Sequence, residues 1–143
     1  MSNIKKIIIN IILFKYNMSK KTVFTELSKE TLEKLLENLN EDQGILIKFG
    51  ATWCGPCQKI KNLCEQNFST FSDNLICVDL DVDDNFEIYG HYKVKKQING
   101  IPKIMVYYGK YSHEKWFLPD DSVSGSDHTE INNFFNRIRK YIK

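Results

Sequence analysis
The sequence predicts an α/β fold in which a central mixed β-sheet is flanked by helices on both faces. Three observations carry that prediction. Strand-like and helix-like stretches alternate through most of the chain, an order that needs crossover connections and therefore parallel pairing. The stretch "ILIKFGA" (45–51) is apolar almost throughout, the pattern of a strand covered on both sides. Late in the chain, "IPKIMVYYGKYSHEKWFL" (101–118) reads as a hairpin and adds antiparallel pairing.

The chain begins with "KKIIINIILF" (5–14), two lysines followed by an apolar run. The run is short, is broken by Asn10, and lacks a small-residue cleavage site, so it does not read as a secretory signal. It also falls well below the roughly 20 apolar residues of a membrane-spanning helix, and no stable membrane insertion is expected. Met18 then opens "MSKKTVF", itself a sensible start. Residues 1–18 are therefore read as an N-terminal extension, either unstructured or outside the native start, and residues 19–143 as one domain.

Within that domain "TVFTEL" (22–27) alternates like a short strand. Ser28 is placed to cap a helix whose Leu32, Leu35, Leu36 and Leu39 recur at helical spacing. "NEDQG" (40–44) is turn material before the buried strand. Two cysteines follow at once in "GATWCGPCQKI" (50–60), and one helix is expected from Pro56 through Phe68, with Ile60, Leu63, Cys64 and Phe68 on one face. "NLICVDLDV" (74–82) is a further strand and "DDNFEIYGHY" (83–92) a short helix; the hairpin after them turns at Gly109–Lys110. Asp127 and Glu130 outline a capping box for a last helix with Ile131, Phe134, Phe135, Ile138, Tyr141 and Ile142 as its apolar stripe. No repeat or low-complexity linker divides the chain.

A length of 143 residues supports one core. Basic and acidic residues nearly cancel to a net charge of +2 and the basic ones are scattered, which excludes a nucleic-acid footprint. Four unevenly spaced cysteines do not make the framework of a small secreted domain. Cys64 and Cys77 lie among apolar neighbours and read as buried free thiols, so a reducing compartment, the cytoplasm, is expected, as is a monomer.

Cys54 and Cys57 are the pair that carries chemistry. A structural zinc site needs two more ligands at matching spacing, and neither the distant Cys64 and Cys77 nor the isolated His91, His113 and His128 supply them, so no metal is expected. A disulfide closing so small a loop constrains the unfolded chain little, which weakens a purely structural role. Cysteines three apart at the start of a helix can instead trade electrons. The helix N-terminus offers unpaired N–H groups that favour a thiolate, and Pro56 suits that first turn because its missing N–H has no partner to lose. Cys54, at the exposed end, is the expected nucleophile on a substrate disulfide, and Cys57, one turn in, resolves the mixed disulfide. Trp53 before them is read as either a flat contact surface for a partner protein or a side chain packed on the helix start.

The residues "FGATWCGPC" between a buried strand and a helix, "GIP" before a later strand, and a glycine ahead of a C-terminal amphipathic helix resemble the thioredoxin family over about residues 20–143. The resemblance implies the thioredoxin fold, no cofactor, disulfide-containing protein substrates, and a thioredoxin-reductase-like or glutathione-dependent reductant. It also implies a cis bond at Ile101–Pro102 facing the dithiol, the Ile101 backbone pairing with a substrate chain, and Gly125 beside the groove. Gly55–Pro56 between the cysteines resembles reducing members of the family, whereas isomerases carry Gly-His.

The chain departs from the family at telling places. A buried acid is usual six residues before the first cysteine, and here that residue is Lys48. Asn62 stands where the active-site helix tends to have proline, Lys103 where threonine tends to follow the cis proline, and "KKQIN" lengthens the segment before "GIP". Asp79 falls about where the family can place a lysine, which predicts a swapped Lys48–Asp79 pair beneath Cys57 that tunes its thiol; the alternative is a Lys48 that snorkels to the surface. Two other readings of function stand beside the reductase. One is an oxidative-compartment isomerase or oxidase, in which Asn67-Phe68-Ser69 would accept a glycan. The other is a non-catalytic binding subunit using the same surface.

Overall fold
The computed structural model describes residues 3–17 and 21–143. Five strands, β1 (Val23–Phe24), β2 (Gly44–Gly50), β3 (Leu75–Asp81), β4 (Lys103–Tyr108) and β5 (Asp121–Ser124), form one sheet in the order β1-β3-β2-β4-β5. β2 pairs in parallel with β3 and antiparallel with β4, so the sheet is mixed as the alternating order and late hairpin require. Every residue of β2 is buried, as expected of its apolar run. Its alternation assigns Ile45, Ile47 and Phe49 to one core, with Leu32, Leu80, Tyr92 and Tyr107, and Leu46 to the other. The second core is closed by Phe68, Phe71, Phe134 and Phe135, whose rings meet mostly edge to face.

The helices are α1 (Asn3–Asn17), α2 (Lys29–Asn38), α3 (Gly55–Lys59), α4 (Lys61–Thr70), α5 (Phe86–Val94) and α6 (His128–Tyr141). Both predicted caps form: the Ser28 hydroxyl accepts the Thr31 N–H at 3.1 Å, and the Asp127 carboxylate accepts the Glu130 N–H at 3.0 Å. Residues 3–17, read from the sequence as an extension without structure, form a helix because Ile4, Ile7 and Ile11 recur on one face and pack on the first core, with Ile7 buried. The alternative start at Met18–Ser19 lies outside the described residues.

Four features differ from those the sequence predicts. β1 is two residues long because the chain beyond it is held by Asn85, whose amide donates to the Thr25 carbonyl and accepts the Leu27 N–H. The expected single helix after the cysteines is two, broken at Ile60 (φ −109°, ψ 0°) with no proline present. The second strand of the hairpin is Asp121–Ser124 and not the segment after Lys110. Residues 110–118 instead fold over α5, where Trp116 packs on His91, Tyr92 and Phe117, and one Asp120 oxygen ties down the loop by accepting from the Tyr108 N–H at 2.7 Å and meeting His113 at 2.8 Å. Gly109 opens that loop where any side chain would collide with the Asn40 carbonyl. Lastly, of the predicted apolar stripe Ile142 is buried, whereas Tyr141 is half-exposed against the Tyr108 ring.

Candidate active site
The end of β2 and the start of α3 set the cysteines. The Cys54 N–H donates to the Ala51 carbonyl at 3.2 Å, which turns the chain out of the strand, and the Gln58 amide donates to the Ala51 and Thr52 carbonyls. Cys54 is then the N-cap of α3, with Gly55 and Pro56 opening the helix and Cys57 one turn in. The two cysteines form a disulfide, with Cα atoms 5.2 Å apart. The Cys57 N–H points at the Cys54 sulfur from 3.2 Å, so a donor is already in place for negative charge on that atom. Because α3 has only five residues, this direct contact outweighs any contribution from a long helix dipole. In the disulfide both cysteines are shielded, Cys54 at 6% exposure and Cys57 at 3%, so the exposure expected for Cys54 is small.

The loop leading into the neighbouring strand β4 closes over them. The Ile101–Pro102 peptide is cis, and the Ile101 carbonyl oxygen lies 3.8 Å from the Cys54 sulfur. Gly125 adopts φ +88°, a left-handed conformation that favours glycine, and donates its N–H to the Pro102 carbonyl at 3.1 Å. Lys103 reaches the Ser124 hydroxyl at 3.1 Å. Ile101, Pro102 and Gly125 are thus brought to the dithiol together. Trp53 is 67% exposed beside it and is fixed by its indole N–H donating to Asp83 at 2.8 Å. Asp83 is a residue the sequence reading missed; its position just after β3, next to the end of the parallel β2, was the available signal.

Lys48 and Asp79 are directly opposite in the β2–β3 register, and the ammonium meets the carboxylate at 3.3 Å. Lys48 is buried at 5% exposure, which removes the snorkelling alternative. The Lys48 ammonium and the Cys57 sulfur both border the space a Gly50 side chain would fill, 3.8 Å and 3.6 Å from the position of its Cβ. An open cleft of about 840 Å³ runs along this side and is lined by Lys48, Asp79 and Cys57. Cys64, on α4, feels both charges of the pair, yet burial pushes its thiol up to about 12.

A sequence profile of the Thioredoxin family matches residues 11–136. A thioredoxin of Chlorobaculum thiosulfatiphilum is 33% identical over 73 residues, which is 51% of this chain and 64% of that one. The bifunctional thioredoxin reductase/thioredoxin of Mycobacterium leprae is 32% identical over 71 residues, 50% of this chain and 15% of its own length. The match therefore spans less than two thirds of either curated relative. Among solved structures, Fasciola hepatica thioredoxin superposes with a TM-score of 0.59 at 25% identity, covering 80% of this chain and 96% of its own. With the profile running through every strand of the sheet and a solved relative sharing its course, the chain belongs to the thioredoxin family.

Proposed function
We propose that the protein is a thiol–disulfide oxidoreductase that reduces protein disulfides through Cys54 and Cys57. The observation that carries this reading is the disulfide itself at the start of α3, with a backbone N–H aimed at the Cys54 sulfur and the Ile101 carbonyl beside it. In the reduced protein the Cys54 thiolate attacks one sulfur of a substrate disulfide and expels the other as a thiolate. Cys57 then attacks Cys54, forming the intramolecular disulfide and releasing the second substrate thiol. Two electrons pass to the substrate, and a dithiol donor must return them. A thioredoxin-reductase-like enzyme or a glutathione-dependent system fits that role; the Mycobacterium leprae relative, named for both activities, supports the first.

A substrate chain extended along Ile101 would pair with its backbone, with Trp53 and Gly125 on either side. The cytoplasm suits the two buried free thiols, Cys64 and Cys77. Asn67 is engaged at both ends of its amide, by Leu63 and Arg139, which disfavours the glycan that the oxidative-compartment reading would place there. The test is turbidimetric reduction of insulin with dithiothreitol as donor. The wild type should accelerate precipitation and Cys54→Ser should not; equal rates for the two would leave the domain a binding subunit.

A further inference from the structure
We propose that Lys48 activates the resolving thiol: its ammonium, held in place by Asp79, keeps Cys57 available as a thiolate, so that resolution of the mixed disulfide needs no general base. The proposal rests on the dithiol reading above and concerns its second step.

Lys48 is the one buried cation among the described residues. A charge at that depth is tolerated only with a partner, and Asp79 supplies it at 3.3 Å from the neighbouring strand. That carboxylate oxygen is committed to the ammonium. Beside Cys57 the nearest charged atom bordering the Gly50 space is the Lys48 nitrogen and not the carboxylate. Other charges also line the cleft. β3 contributes Asp81 as well as Asp79, and α4 contributes Lys61 and Glu65. Lys21 and Glu26 flank it at β1, and Asp84 at the far side of β3. Glu26, Lys61, Glu65 and Asp84 are exposed, where water screens them, and Lys21 is held by the Ser72 and Leu75 carbonyls, whereas Lys48 is buried beside Cys57.

Burial alone would hold Cys57 as a thiol, and a fixed cation nearby works the other way. The step balances without an acceptor side chain. The Cys57 proton leaves to water in the cleft. The thiolate attacks the Cys54 sulfur, the Cys54–Cys57 bond forms as the Cys54–substrate bond breaks, and the electron pair departs on the substrate sulfur, which takes a proton from solvent.

The experiment follows the Cys57 ¹³Cβ shift against pH in a reduced Cys54→Ser background, where no second active-site thiol couples to it. Four proteins are compared: Lys48 intact, Lys48→Met, Lys48→Gln and Lys48→Arg. With Lys48 intact the thiol should ionise below its ordinary value of about 9. Loss of the charge should raise the midpoint by about one unit and, with Cys54 restored, slow release of substrate from a preformed mixed disulfide about tenfold at neutral pH. Lys48→Arg should retain the lowered midpoint. An unchanged midpoint in Lys48→Gln, which keeps a polar side chain if Lys48→Met does not fold, overturns the proposal. Because the midpoint is read without any substrate, failure here is distinct from failure of the insulin assay.

Discussion
Cys64 and Cys77 are fully buried, and burial pushes both thiols up to about 12. In the unfolded chain a thiol ionises near 9, its ordinary value. Between those values the unfolded state has released protons that the folded state keeps, so stability falls as pH rises through that window and is undiminished below it. Tyr92, Tyr107 and Tyr108, all raised by burial, act in the same direction at higher pH. The urea midpoint of the oxidised protein should therefore decline from pH 9 upward, and a flat profile to pH 11 would contradict the burial of these groups. At this scale the sequence was informative where chemistry and spacing coincide. Cys54 and Cys57 could be read from their spacing at a helix start, and the partnership of Lys48 with Asp79 from the family resemblance, which marks both positions. Asp83 could not, since its bond to Trp53 joins two loops thirty residues apart, a distance that no local pattern encodes.

Helices and strands were legible in proportion to the strength of their periodicity. α6 combines a cap, a stripe of Ile131, Phe134, Phe135 and Ile138, and basic residues in its last turn, and it forms where expected. Its cap can be weighed directly: Asp127→Ala should cost about 1 kcal/mol in chemical denaturation, while Asp127→Asn should cost little. β5 could not be found in this way. "DSVS" is short and polar and earns its place at the sheet edge by pairing with β4 and by the Asp121–Arg137 contacts to α6, both of which are tertiary. Trp116 and Phe117 carry the stronger strand propensity, yet they pack on α5, so packing overrode propensity. The break at Ile60 was equally hidden, because the apolar face runs through it unbroken in sequence.

Over the whole molecule, the mixed sheet and its two cores followed from element order alone, whereas α1 did not, because its apolar run was read by length and not by face. Ile7 contributes a buried side chain to the first core, and burial of one such residue is worth about 1.5–3 kcal/mol. Removing residues 1–18 should lower the unfolding free energy by about that amount while leaving a cooperative transition and the insulin reduction rate unaltered; loss of cooperativity would show that α1 is integral to the domain. The Lys48–Asp79 contact has a separate consequence for assembly of the sheet. β2 and β3 meet along aliphatic runs, Ile45-Leu46-Ile47 against Ile76-Cys77-Val78, that would tolerate a shift of two residues with little loss. A shift one way would set the ammonium against Cys77 with no carboxylate opposite, and a shift the other way would offer it Asp81 but leave Asp79 facing Leu46, so this single polar rung acts as a zip tooth that favours one alignment of the two central strands over its neighbours.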